Sequence, residues 1–156
     1  MMTKKDKPIA FQGEMGANSH IACNDIFPDR DVLPCTTFEG AFKAVENGSA
    51  ALAVLPVENT VAGRVADIHR LLPGYNLYII GEYFLEVNHC LLGVPGSTMQ
   101  EIKRVHSHEQ AIAQCRNNLI KHNKDMIVAA DTAGAAKMVS ELNQKEDAAI
   151  ASELAA

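Results

Sequence analysis

Arg104 to Ala130 reads RVHSHEQAIAQCRNNLIKHNKDMIVAA, and the reading of this stretch decides the fold class. Arg104–Ser107 and Met126–Ala130 are short runs that read as strands. Between them, Glu109 to about His122 carries Ile112, Cys115, Arg116 and Leu119 at intervals of three or four, which predicts a helix. Strand, helix and strand in that order form a crossover unit, and crossover units build parallel sheets.

The same alternation extends in both directions. Further strands are predicted at Pro8–Phe11, Val32–Cys35, Ala51–Pro56, Leu77–Phe84, Cys90–Val94 and Ala148–Ala151. Thr36 to Glu39 has the form of a capping box, opening a helix with Phe38, Ala41, Phe42 and Val45 on its apolar face and Gly48 just beyond it. Thr98 to Glu101 is a second capping box, predicting a short helix. Asp131 or Thr132 can cap a helix from Ala133 to Leu142. The result is an α/β architecture with largely parallel sheets. The change of character near Glu82–His89 divides it into a first lobe over about 8–81 and a second over 87–156. After the last strand, Ser152 reads as an N-cap with Glu153 in the first turn, yet the chain stops at Ala156, so the pattern reads as an element cut short.

Composition excludes several classes. The chain has 156 residues, 47% apolar and 21% charged, which is enough for a packed core without disulfides or metal. Aromatic residues are 5% and Trp is absent, which disfavours stacking platforms for single-stranded nucleic acid. Fourteen Lys and Arg against nineteen Asp and Glu give a net charge of -5, so there is no general attraction for nucleic acid or anionic membranes. No apolar stretch follows the charged start, and none is long enough to span a bilayer. Cys23, Cys35, Cys90 and Cys115 lack Cys-x-x-Cys spacing and read as reduced, packed thiols. The expected location is therefore the cytoplasm.

In open α/β sheets, ligands bind beyond the carboxyl ends of the strands. Those positions hold residues 12–19, 58–63, 106–110, 131–134 and Ser152, nearly all polar and several at helix starts. The predicted ligand is small, polar and anionic. Gly13 and Gly16 do not make a dinucleotide fingerprint. His106 and His108 lack a clear third metal ligand. His89 and Cys90 are adjacent in a strand and point to opposite faces. Asp131-Thr132 reads equally as a cap or as a ligand pair. Glu58-Asn59-Thr60 stands out as a carboxylate, an amide and a hydroxyl directly after an apolar strand.

Several of these stretches together resemble the prephenate dehydratases. Residues 11–19 (FQGEMGANS) resemble the N-terminal signature of that family, and residues 55–63 (LPVENTVAG) resemble its Pro-Ile-Glu-Asn-Ser/Thr segment. Residues 89–92, 105–115, 131–136 and 149–152 are similar to further motifs, in the family's order, so the resemblance covers about Ile9 to Ala156. Asn18, at a usually aromatic position, and Glu109, in place of the usual Pro, depart from the pattern.

The resemblance implies two α/β lobes with a cleft between them, like type II periplasmic binding proteins. It implies conversion of prephenate to phenylpyruvate with loss of water and carbon dioxide in phenylalanine biosynthesis, without metal or cofactor. Glu58, Asn59 and Gln114 are the implied catalytic residues. Thr60, Ser107, Gln110, Thr132 and Ala133 are the implied substrate-binding ones. A homodimer or tetramer is expected. The family's Thr-Arg-Phe motif and regulatory ACT domain lie beyond Ala156, so the chain is expected to be an N-terminal fragment with little activity. The alternatives are an arogenate dehydratase and a non-catalytic small-anion binding module.

Overall fold

The computed structural model describes residues 7–61 and 63–156; the charged start, residues 1–6, and Ala62 lie outside the described residues. The chain divides into two compact units, one ending at Glu86 and the other running from Val87 to Ala156.

In the first unit β1 (Ile9–Gln12) lies between β2 (Val32–Cys35) and β3 (Leu52–Val54), and all three are parallel, with Ile9 opposite both Val32 and Leu52. The crossovers are α1 (Asn18–Ile26) and α2 (Phe38–Glu46). Side chains alternate across β1, so each helix covers one face. Ile9 and Phe11 pack with Cys23 of α1, while Ala10 packs with Ala41 and Ala44 of α2. Burying Phe11 completely stabilises this layer by about 2–3 kcal/mol. Burial also pushes the Cys23 thiol up to about 12, which leaves it unreactive.

The second unit repeats that winding. β7 (Arg104–Ser107), α4 (Glu109–Lys121), β8 (Asp125–Val128), α5 (Thr132–Leu142) and β9 (Asp147–Ala151) follow one another, with β7 between β8 and β9. These three strands are parallel; β6 (Cys90–Gly93) adds to the far side of β9 in antiparallel sense, so the sheet is mixed rather than wholly parallel. Ala148 and Ile150 pack with Ile112 and Leu119 of α4. Ala149 and Ala151 meet Ala135, Ala136 and Val139 of α5. Small residues on both sides of that second contact let the helix lie close to the sheet.

A buried ion group ties β7 to β9. Asp147 is 2% exposed and sits opposite Arg104 in the ladder. Its carboxylate accepts from Arg104 Nε at 2.7 Å and from Nη2 at 2.6 Å, a bidentate pair. His106 Nε2 lies 2.7 Å from the same carboxylate. The Arg104 guanidinium is the main cause that holds the Asp147 carboxyl down to about 2.

Four local readings need correction. The helix after β2 is capped by Thr37, whose Oγ1 accepts from Gly40 N at 3.0 Å; Glu39 instead pairs with Lys43 at 2.7 Å. The Thr98–Glu101 capping box forms, with Glu101 Oε2 accepting from Thr98 N at 2.9 Å, but it closes a turn rather than a helix. Its apolar follow-on, Ile102, is already committed to the core. Leu77–Phe84 is not a ladder strand. Tyr78, Ile80 and Phe84 are 82%, 76% and 86% exposed, so no packing rewards the strand propensity of these residues. Ser152 holds the N-cap position of a single 3₁₀ turn, Glu153–Ala155, without a capping bond from its side chain.

Candidate functional site

Both sheets have their central parallel strands wound in opposite directions from one starting strand. In such sheets the two chains leaving neighbouring carboxyl ends part company there and open a crevice. In the first unit this point lies between β1 and β3, and in the second between β7 and β9.

Beyond β1 the chain makes a loop before α1. Gly13 (φ +119°) and Gly16 (φ +87°) adopt backbone conformations that a side chain would strain. Gly13 N donates to Cys35 O at 2.9 Å, tying the loop to the end of β2. Gly16 N donates to His20 Nδ1 at 2.9 Å, and the imidazole stacks on Phe11 with ring centres 5.4 Å apart. Because Nδ1 accepts, the neutral ring carries its proton on Nε2. Burial lowers the His20 pKa, in keeping with that neutral form.

Beyond β3 the chain turns into a small antiparallel hairpin of β4 (Glu58–Asn59) and β5 (Gly63–Arg64), in which Glu58 faces Arg64. The ladder continues outward through Val65 N to Val57 O at 3.0 Å. Glu58 and Thr60 are exposed, and Asn59 is half-buried. Asn59 Oδ1 accepts from Val61 N at 2.9 Å, an Asx turn that bends the tip. With the oxygen held, the donor end of the amide is turned to the other side.

In the second unit β7 passes straight into α4. Ser107 is fully buried and its hydroxyl donates to Ile150 O at 2.6 Å, locking β7 against β9. His108 caps α4 by accepting from Gln110 N at 3.3 Å. His106 and His108 thus serve an ion group and a helix cap respectively. Glu109 opens the helix, where its charge suits the dipole. Gln110 and Gln114 are exposed, four residues apart and so on one face of α4. Beyond β8, Asp131 Oδ1 accepts from Gly134 N at 2.6 Å, so Asp131 is the cap of α5. Thr132 then begins the helix half-buried, and Ala133 is buried.

Glu58, Asn59 and Thr60 therefore lie together in the first unit. Ser107, Gln110, Gln114, Thr132 and Ala133 lie around the carboxyl edge of the second sheet. Three further residues, none of them among the expected site residues, shape these edges. Arg64 faces Glu58, His20 holds the β1 loop, and His89 meets Gln114, with Nε2 and Oε1 3.1 Å apart. His89 precedes β6, whose Cys90 pairs with Ala151, so antiparallel pairing brings it to the carboxyl edge of β9. No spacing rule links positions 89 and 114; only the ladder does.

The arrangement offers hydrogen-bond donors at strand ends and helix starts, suited to an anionic ligand. No helix among the described residues is long and apolar enough to cross a membrane.

A model of the prephenate dehydratase family matches residues 9–156. A bifunctional N-acyl-homoserine lactone acylase/prephenate dehydratase of Komagataeibacter europaeus is 51% identical over 151 residues, covering 97% of this chain and 54% of that protein. An Arabidopsis thaliana chloroplastic arogenate dehydratase/prephenate dehydratase is 43% identical over 148 residues, covering 95% of this chain and 39% of its own length. The crystal structure of prephenate dehydratase from Arthrobacter aurescens in complex with L-Phe superposes with a TM-score of 0.88 at 30% identity, over 96% of this chain and 51% of the other. The chain thus spans about half, or less, of the length of these relatives. The fold is the periplasmic-binding-protein-like α/β fold of these neighbours.

Proposed function

Because this chain belongs to the prephenate dehydratase family, we propose that it recognises prephenate and forms part of an enzyme converting it to phenylpyruvate in phenylalanine biosynthesis. The observation that carries this reading is the family match over residues 9–156, which takes in every strand-end cluster described above. Some relatives bear arogenate dehydratase names, and arogenate is the alternative substrate.

The chemistry suits the residues. The bond from the ring to its carboxylate breaks, its electron pair enters the ring, and the ring hydroxyl leaves from the opposite carbon. Carbon dioxide and, after the hydroxyl takes up a proton, water are released, and the ring becomes aromatic. Hydroxide is a poor leaving group, so donors must meet it as it departs. In our reading Asn59 and Gln114 supply amide donors, and Glu58 supplies the proton when it carries one. Thr60, Ser107, Gln110, Thr132 and Ala133 orient the two carboxylates. Ser107 and Ala133, both buried, act by fixing backbone at the rim. No metal or cofactor takes part. The enzyme works in the cytoplasm as a homodimer or tetramer, and the chain alone turns over little.

Incubation with prephenate, followed by absorbance of phenylpyruvate, tests this. We expect little product from the chain alone and steady turnover from a protein lengthened to the span of its relatives. In that longer protein Asn59→Ala is expected to lower turnover on the order of 100-fold if Asn59 is a positioned donor. Near-normal turnover would remove Asn59 from the site. Saturable prephenate binding with no product from the longer protein would favour a non-catalytic anion-binding module instead.

A second reading is hydrolysis of N-acyl-homoserine lactones, favoured by the 51% identity to the Komagataeibacter europaeus protein. Water would cleave the amide bond, so release of the fatty acid together with intact homoserine lactone would support it, and full recovery of the N-acyl-homoserine lactone would dismiss it.

A further inference from the structure

We propose that His89 is a positioning residue that sets the orientation of the Gln114 amide, turning its two N–H donors toward the ligand; this rests on the reading of Gln114 as part of a prephenate site. His89 Nε2 and Gln114 Oε1 are 3.1 Å apart. A carbonyl oxygen only accepts, so the imidazole nitrogen must carry the proton in this contact. With the oxygen held on the His89 side, the NH₂ group lies on the opposite branch of the same planar amide. The donor end is then aimed away from His89 rather than free to exchange places with the oxygen.

Two further features support the assignment. Gln114 is four residues after Gln110 on α4, so both amides share one face of the helix whose start lies at the end of β7. His89 does not come from α4; the antiparallel pairing of Cys90 with Ala151 carries it to that edge. The orienting group is therefore anchored to the sheet, while the group it orients is anchored to the helix. The same device recurs at Asn59, whose oxygen is held by Val61 N at 2.9 Å. An exposed amide without such a partner presents oxygen and nitrogen to an anion in turn, and half of those presentations are repulsive. A fixed proton on Nε2 removes that ambiguity before the ligand arrives.

Two measurements on the whole chain test this. Long-range ¹⁵N–¹H correlation reads the tautomer of His89. The Nε2–H form is expected; the Nδ1–H form would mean that the amide nitrogen faces His89, and would overturn the proposal. Calorimetry with prephenate as the probe reads the consequence. His89→Ala is expected to weaken binding about 10-fold, the loss of one well-placed hydrogen bond. His89→Gln, which keeps an N–H near the Nε2 position, should recover most of it. In a Gln114→Ala background, His89→Ala should add little, because there is no amide left to orient. Equal losses with and without Gln114, or no rescue by His89→Gln, would make the role of His89 structural only. If Gln114→Ala itself binds prephenate normally, the site reading fails, while the tautomer still decides whether His89 orients the amide.

Discussion

In the first unit β1, α1, β2, α2 and β3 wind into the order β2-β1-β3; in the second, β7, α4, β8, α5 and β9 wind into β8-β7-β9. The topology is shared but the fastening differs. The first sheet leans on apolar layers and on one neutral histidine, His20, packed on Phe11. The second adds a buried carboxylate, Asp147, clasped by Arg104 and His106. The step from first strand to first helix differs too. It takes a glycine loop in one unit and a direct passage through the His108 cap in the other. One winding rule thus accepts two ways of entering the first helix, one through a glycine loop and one through a side-chain cap.

That contrast can be broken most forcefully at Asp147. Replacing it with Ala leaves the His106 nitrogen buried without its partner and the guanidinium with only the more distant Glu146 carboxylate, at 3.8 Å. A loss of about 3 kcal/mol is expected in urea unfolding. A loss below 1 kcal/mol would mean that the ion group merely breaks even with its desolvation.

Acid comes next and should separate the units. The Asp147 carboxyl lies at about 2 in the fold against 3.8 unfolded. A depressed carboxyl pKa means that its contribution is intact above 3.8 and fades as pH falls toward 2, for a total on the order of 2 kcal/mol. The second unit should therefore hold its exchange protection on β7 and β9 down to about pH 4. Protection lost well above that pH would contradict the assignment.

The helix caps allow a paired test. A Cβ on Gly134 would lie 2.7 Å from Asp131 Oδ2, whereas one on Gly40 would lie 3.2 Å from Thr37 Oγ1. Gly134→Ala must push the capping carboxylate aside, while Gly40→Ala needs only a small shift and both gain helix propensity. Gly134→Ala should end about 1 kcal/mol less stable than Gly40→Ala. Equal melting temperatures would show that the Asp131 cap is dispensable.

The smallest effect belongs to His20. Its folded pKa is lowered by burial from 6.5. Its contribution is thus complete above 6.5 and declines as pH falls below it. Protonation occupies Nδ1 and removes the acceptor of Gly16 N, so that amide should exchange faster in mild acid while the amides of β9 do not. A Gly16 amide indifferent to pH between 7 and 5 would rule this out.

What could be read from the sequence was whatever local chemistry specifies. The helices now seen at Glu109–Lys121 and Thr132–Leu142 combine periodic apolar residues with a cap, both within one turn of each other. α1 was missed because Ala17 offers no capping side chain and its inward face includes a histidine. The segment after β3 was readable as a candidate site from its position alone. Its hairpin was not, since two-residue strands have no period to detect. The His89–Gln114 contact depends on the antiparallel register of β6 and β9, a long-range pairing that neither residue announces. Leu77–Phe84 shows the opposite failure: strong strand propensity without a ladder to join.

That segment also has a consequence for handling the protein. Tyr78, Ile79, Ile80 and Phe84 stand in solvent on a segment that joins no strand, and unpaired apolar segments of high strand propensity favour association between molecules. Glu82 and Glu86 supply the nearby charge that discourages such stacking, and Gly81 interrupts the run. Those two carboxylates and that glycine are the local guard against association, and high salt, which screens the charges, is the condition in which the solution is expected to turn cloudy first.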